Sequence, residues 1–378
     1  MITPDYYYII VGGGLAGLQL ALEIRKDIFF KGKKIAIIDP SLKEANDKTW
    51  CFWEKGSGKW DGLIHKEWQQ GLFIVDSAEK ELDFAPYSYK MLRSIDFYEY
   101  AKSELAKDPD TYFIQDKINR IDEVTRTALG IKDSYTATHF FDSRPPHSYK
   151  DDSGCAKIYQ HFKGISIETQ EVQFDPERFT MMDYRVKYKN STCFTYVLPV
   201  STKSALIEFT FFTPFLTEGK VYDEQLEKYI REVLKIDNYK ITESETGVIP
   251  MTDYPFHKHN SKYITKIGTA GGWVKASSGY SFKSTERKVS KLLANIKSGK
   301  MPAQGLFSNK FQRYDAIFLD VLEKRNDLGE SLFTKFYTKN SIQYIFKFLD
   351  EETTFSEEIK IMQSMFHPQF LKSFFNKL

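Results

Sequence analysis

The chain has 378 residues and a formal net charge of +2, enough for one large or two interlocked domains and no reason to expect nucleic acid as a partner. It is 16% aromatic, with 31 Phe and 23 Tyr, a composition able to line a long apolar pocket or simply to fill a core. Cys51, Cys155 and Cys193 form no CxxC pair and the seven histidines no spaced pair, so neither a disulfide framework nor a metal site is expected.

The chain enters an apolar strand at once, Tyr6-Tyr7-Tyr8-Ile9-Ile10, leaving no room for a signal peptide. No apolar run reaches the roughly 18 residues that a membrane span needs. These features predict a reducing, cytoplasmic setting. Directly after the strand comes Val11-Gly12-Gly13-Gly14-Leu15-Ala16-Gly17. Here Gly12 makes the tight turn, Gly14 lets a phosphate approach the backbone, and Gly17 packs a helix, about Leu15–Phe30, against the strand. The helix N-terminus favours the negative charge of a pyrophosphate. A second strand, Lys34 to Asp39, ends in an acid placed to hold a ribose hydroxyl, 22 positions after Gly17. Strand, glycine turn, helix, strand and acid in register predict a bound dinucleotide.

Residues 41–90 read as loop-rich, with Trp50, Trp53, Trp60 and Trp68. A helix is expected over Ser94–Ala106, then strands around Thr111–Gln115, Ile118–Val124 and Ala137–Asp142. From Ile158 the pattern alternates. Phe179–Tyr188, Cys193–Val200 and Ala205–Thr213 read as an antiparallel meander with short polar joints. A helix at Asp223–Leu234 and a strand at Tyr263–Ala270 follow, and the chain is mostly helical from Ser284. The nucleotide unit thus opens at one end of the chain and closes at the other, a layout typical of FAD enzymes. It predicts an α/β protein: a Rossmann-like FAD-binding domain (1–150 and 245–300), an inserted antiparallel β-sheet substrate domain (151–244), and a helical C-terminal part (300–378). In such an architecture, that of hydroxylase-type flavoproteins, Gly268-Thr269-Ala270-Gly271-Gly272 would bring a second helix N-terminus to the flavin, unless it is a simple strand-to-helix turn. Arg93, opening a helix, would meet the cofactor or stay a surface arginine. Asp142 is expected to pack the sheet edge near the cofactor, without a chemical role.

Several stretches together resemble the FAD-dependent lycopene cyclases. Asn46-Asp47-Lys48-Thr49-Trp50-Cys51-Phe52-Trp53 is similar to that family's D-x-T-W-x-F-W block, and Leu206-Ile207-Glu208-Phe209-Thr210 to its F-L-E-E-T motif. Gln160–Gly164, Met182–Arg185, Tyr196–Pro199, Gly247–Met251, Gly268–Phe282 and Phe348–Thr353 also match, in the family's order and over nearly the whole chain. Two departures stand out. The second acid of F-L-E-E-T is Phe209, and a proline common in the family is Ala276 or Ser277 here.

The resemblance implies closure of an ionone-type ring on a linear carotenoid, with reduced FAD as cofactor, NAD(P)H as reductant and no net redox change. Such chemistry needs a neutral carboxylic acid in a dry site, where burial disfavours the ion. Glu208 is the expected acid. Its strand face carries Leu206, Thr210 and Phe212, and pattern alone leaves a pocket wall and a wet strand face equally open. Asp183 is the second candidate, as acid or as orienter of Glu208 with Arg185 as its ion-pair partner, although its face with Arg185, Lys187 and Lys189 reads alone as solvated. The alternatives are a redox flavoprotein, such as a monooxygenase or prenyl reductase, and a non-catalytic flavin or carotenoid binder. The tail, Phe370, Leu371, Phe374, Phe375 and Leu378 with Lys372 and Lys377, suits a helix on an anionic membrane or one docked on the core. A lipid-soluble carotenoid as substrate implies peripheral membrane contact.

Overall fold

The structure, a computed structural model, describes residues 4–146, 148–151 and 154–377; Leu378 of the expected tail stripe lies outside them. Strand β1 (Tyr6–Val11) runs through the glycine turn into α1 (Leu15–Lys26) and β2 (Ile35–Asp39). The segment expected as loop instead holds β3 (Thr49–Lys55), β4 (Lys66–Trp68), β5 (Gln70–Val75), β6 (Ala78–Asp83) and β7 (Tyr87–Arg93). Helix α2 (Ser94–Leu105) leads to β8 (Thr111–Gln115), the short β9 (Arg120–Asp122) and β10 (Thr127–Leu129), and β11 (Ser134–Asp142). After one helical turn, α3 (Ser148–Asp151), come β12 (Lys157–Glu168), β13 (Arg178–Asp183), β14 (Cys193–Pro199) and β15 (Ser204–Thr213). Helix α4 (Gly219–Lys228) continues in a π-turn before β16 (Lys240–Thr252) and β17 (Ile264–Lys266). The rest is helical: α5 (Phe282–Lys297), α6 (Asn309–Lys324), α7 (Gly329–Lys339), α8 (Ile342–Leu349), α9 (Phe355–Ser364) and α10 (Pro368–Asn376).

Three sheets result. The first has the order β8-β2-β1-β11, with β17 beside β11, all parallel, and a β10-β9 hairpin on one flank. Parallel strands covered on both faces must be apolar throughout, and Tyr8, Ile9, Ile10 and Val11 are all buried. Leu18, Leu22 and Ile24 of α1 pack on one face with α2 and α5 residues, while Ile118 and Ala128 cover the other. The second sheet runs β16-β12-β15-β14-β13-β5-β6, so two strands of the presumed loop extend the sheet of the meander. The third, β3-β7-β4, bridges the other two.

Several element ends differ from the sequence expectation for local reasons. Helix α1 stops at Lys26 because Asp27 turns the chain, its side chain accepting from the Phe29 amide at 3.0 Å. Strand β13 ends at Asp183, not Tyr188, because that carboxylate accepts the Arg185 amide two residues on, at 3.0 Å. Strand β17 stops at Lys266 because Gly268, at φ +60°, starts a 3-10 turn. The helix expected at residue 223 begins at Gly219.

Candidate active site

The glycine turn is as tight at Gly12 and Gly17 as its spacing predicts. A Cβ at Gly17 would stand 2.0 Å from the Gly12 carbonyl oxygen and one at Gly12 would stand 2.0 Å from Ser143 Oγ, so neither position accepts a side chain. Gly14, the cap residue of α1, has nothing within 4 Å of its missing Cβ. That open space belongs to a cavity of about 560 Å³ lined by Gly12, Gly14, Leu15, Ala16 and Gly17 and, from the far end of the chain, Gly268 and Thr269. The two segments meet where Gly268 lies against Ala16, a Cβ there falling 3.2 Å from the Ala16 methyl. Gly13 and Asp39 stand behind the turn, the Gly13 amide donating to Asp39 Oδ2 at 2.8 Å and the Ser41 amide to Oδ1 at 2.8 Å. Ala270 and Gly271 are buried, and Gly272, at φ +69°, faces a neighbouring cleft. The helix whose start enters the cavity is α5, ten residues beyond Gly272, with Ser281, Phe282 and Thr285 on the wall.

Three buried polar atoms on this wall, Gln160 Oε1, Ser278 Oγ and Trp273 Nε1, have no hydrogen-bond partner among the described residues. Buried polar atoms are rarely left so. With the open turn and the helix N-terminus, they fit a polar, pyrophosphate-bearing dinucleotide held here.

The second sheet forms the opposite wall. The alternation of β15 holds: Ala205, Ile207, Phe209 and Phe211 pack under the helical layer of α4, while Leu206 and Phe212 join the core on the other side and Glu208 faces the cavity. Glu208 pairs in register with Gly164 of β12, and Gly164 with Glu245 of β16. The three residues form one row across the sheet, and residues directly opposite share a face. The row therefore holds two carboxylates with a glycine between them, and both line the cavity. A Cβ at Gly164 would come within 3.1 Å of Glu245 Cγ and of Leu206 Cδ1.

Burial pushes Glu208 up to about 8, the charge of Glu245 adds to the rise, and a hydrogen bond from Thr210 Oγ1 at 2.6 Å opposes it. Burial raises Glu245 as well, against a hydrogen bond from Thr49 Oγ1 at 2.9 Å. Where two acids share a site, one ionises first and holds the proton on the other. Both acids accept such a bond, so what separates them is the charge of Glu245, which raises Glu208 on top of burial and makes Glu208 the protonated member. Aromatic rings complete the wall. The Tyr89 and Tyr280 hydroxyls lie 2.9 Å apart, and Tyr196 stands opposite Glu208 on β14.

Like Gly13, Ala270, Gly271, Gly272 and Asp39, whose carboxylate is taken by backbone amides and not left for a ribose, Asp183 and Arg93 do not line this cavity. Asp183 is fully buried on the α4 side of the sheet, where it binds Arg185 at 2.5 Å and accepts from the Tyr229 hydroxyl at 2.7 Å. Its bulged strand turns it away from the cavity, and its contacts are those of a structural ion pair. Arg93 faces an adjoining cleft and grips Asp96 in two hydrogen bonds of 2.9 and 3.0 Å, one turn along α2. The sequence reading missed Glu245, which lies in the polar run Glu243-Ser244-Glu245-Thr246 and reads as solvated loop. Its one signal is that it runs directly into Gly247-Val248-Ile249-Pro250, which line the cavity with it.

The blocks quoted from the sequence hold this site together. Thr49 reaches Glu245, Asp47 accepts from Ser94 and Tyr98, and the Trp53 indole donates to Asp350 at 2.6 Å while stacking on Phe346, centroids 4.4 Å apart. Asp142 pairs with Arg144 and Lys266 at the edge of the first sheet.

Several solved structures share this fold. A geranylgeranyl bacteriochlorophyll reductase-like protein from Thermoplasma acidophilum superposes with a TM-score of 0.60 at 13% identity, over 99% of each chain. A flavoprotein/dehydrogenase from Cytophaga hutchinsonii gives 0.59 at 13% identity, over 95% of this chain and 98% of that one. The flavin-dependent brominase Bmp2 gives 0.58 at 12% identity, over 95% and 93%. No curated protein sequence matches the chain. At these identities the likeness establishes the architecture, a flavoprotein fold with mixed α/β sheets and a helical C-terminal part. The family model described as Lycopene cyclase protein matches residues 8–374, taking in the glycine turn, both carboxylates and the Trp53–Asp350 clamp. The chain belongs to the lycopene cyclase family.

Proposed function

We propose that this protein closes rings on a linear carotenoid such as lycopene by acid catalysis, with FAD bound over the glycine turn. The observation that carries the reading is the pair Glu208–Glu245, half-buried side by side on one sheet face and facing the cavity lined by that turn. Glu208 is the acid. Its proton passes to the terminal alkene, leaving a tertiary carbocation that the internal double bond attacks. Loss of a different proton then gives the ring alkene, so atoms and electrons balance without an oxidant. After donation, Glu208 and ionised Glu245 present two negative charges to the cation, and the π faces of Tyr196 and Tyr280 border its path. The same pair is suited to take up the departing proton. Bound in its reduced form, FAD would add a fixed negative charge beside the cation, with NAD(P)H needed only to maintain that form. Gly14, Ala16 and Gly268 would seat the cofactor, and Gln160, Ser278 and Trp273 would find partners on it.

The test is expression in bacteria that make lycopene, beside a Glu208→Gln copy. Cyclic pigment from the parent and linear pigment from the variant are expected. The likeness to a reductase-like protein favours, as second reading, a prenyl-chain reductase. Consumption of NAD(P)H in proportion to product would establish that reading and sink the cyclase.

A further inference from the structure

The cleft that Gly272 faces is bordered by α5 and by the start of α6, and holds about 1050 Å³. That is at the upper end of the roughly 300–1,000 Å³ of small-molecule sites. Pro250, Thr269 and Val274 line both this cleft and the cavity of the glycine turn, so the two spaces meet along them. Neither Glu208 nor Glu245 is on the wall of the cleft.

The charges of this cleft do not balance. Each carboxylate on its lining is already paired: Asp253 with Lys377 at 2.6 Å, Asp315 and Glu351 with Lys275 at 2.9 and 3.0 Å, and Asp350 with Arg287 at 2.9 Å. Lys310 is held by Glu358 at 2.6 Å. Lys288, Lys291 and Arg313 remain, and none of them makes an ion pair among the described residues. Lys288 is half-buried, its ammonium 5.3 Å from the centre of the Phe307 ring. It donates to Ser284 Oγ at 2.7 Å, and that hydroxyl donates to the Trp273 carbonyl at 2.7 Å, so other donors of the ammonium stay unused. Burial pulls Lys288 down to about 8, with the charge of Glu351 opposing and those of Arg287 and Lys275 adding to the fall. An anion entering the cleft would relieve this group as no neighbour does. Lys291 stands one turn further along the same face of α5. The first turn of α6, on the same lining, holds no acid and no side-chain cap, which leaves the positive end of that helix open as well.

We propose that this cleft binds a dihydronicotinamide dinucleotide, its phosphates held by Lys288, Lys291 and Arg313 and its nicotinamide directed to the flavin along Pro250, Thr269 and Val274. The inference rests on the reading that FAD occupies the cavity of the glycine turn. The phosphates bring the negative charge that the three cations lack, and the volume admits a whole dinucleotide. A hydride leaves the nicotinamide ring for the oxidised flavin, so two electrons and a proton move together. The flavin becomes the reduced anion, and the oxidised dinucleotide departs. Because the carboxylates lie outside the cleft, reductant and substrate reach the flavin from different spaces and do not compete.

The test uses the full protein loaded with FAD. Calorimetric titration with oxidised NADP, which transfers no hydride, is expected to show binding, at least tenfold weaker in high salt. Lys288→Gln/Arg313→Gln is expected to weaken it at least tenfold further while keeping the parent's FAD content and melting temperature. Should that variant melt early, Lys291→Gln/Arg313→Gln, at two exposed positions, carries the same expectation. Under anaerobic conditions NADPH below saturation is expected to bleach the flavin of the variant at least tenfold more slowly than that of the parent. Dithionite, which needs no binding site, is expected to bleach both alike. A parent that binds no NADP overturns the proposal, as does a variant that binds NADP and is reduced like the parent. Displacement of NADP by an equal concentration of inorganic phosphate also overturns it, because the cleft then recognises phosphate alone. The FAD content is measured before any dinucleotide is added, so a failed flavin reading shows itself separately. A failed cyclase reading shows itself as unchanged pigment in the lycopene-producing cells.

Discussion

Glu245 shows how much one carboxylate governs another. Its charge helps hold the Glu208 proton on, so replacing it with glutamine removes a cause of the upward shift. In Glu245→Gln the alkaline limb of the kcat/KM profile is expected to move to lower pH, with the reaction surviving near pH 6. An unmoved limb would remove Glu245 from the acid's environment. Stability carries the same signature. The folded Glu208 binds its proton more tightly than an unfolded glutamate, so between about 4.5 and 8 stability falls as pH rises and then levels off. Glu208→Gln is expected to flatten that part of the melting profile, measured as Tm at pH 5, 7 and 9. Asp183 is a different matter. Leaving Arg185 and Tyr229 without their buried partner, Asp183→Asn is expected to cost about 3–5 kcal/mol in urea unfolding yet leave the pH profile of any surviving activity in place.

At the scale of elements, legibility in the sequence followed the range of the constraint. The turn at Gly12–Gly17 is local: a Cβ at Gly17 collides with the carbonyl of Gly12, five residues away, so the sequence must write glycine there. Gly17→Ala is expected to push α1 off β1 and yield protein that purifies without bound flavin, read as loss of the flavin's visible absorbance. The face of Glu208 was also legible, since alternation along one strand is a local rule. Glu245 was not, because its nearness to Glu208 comes from two register choices across Gly164, and register between strands separated by tens of residues leaves no local trace. Arg93 was read by its place at a helix start, and Asp96 three residues on already offered it a nearer partner. The five strands between residues 49 and 93 were read as loop because they are short, mix polar with aromatic residues, and serve two different sheets.

Across the whole molecule, the helical C-terminal part is fastened to the sheets by a shared apolar core, by hydrogen bonds such as those of Asn326 with Thr192 and Phe212, and by aromatic contacts. Trp53 links β3 to α8 by stacking on Phe346 and by its bond to Asp350. Trp53→Ala is expected to cost about 3–5 kcal/mol and to loosen α8–α10, measured as faster amide exchange there than in β1. The layout also binds distant parts of the chain. Strand β5 has its parallel partner in β13, beginning at Arg178, and β11 has its neighbour in β17, beginning at Ile264. On a ribosome adding about 5–20 residues per second, the edge of β5 therefore waits on the order of ten seconds for its mate, and β11 waits as long again. A nascent chain with two open edges is a target for wrong pairing. The yield of this protein in a foreign host should hence depend on translation speed and on holdase chaperones more than on the stability of the finished fold.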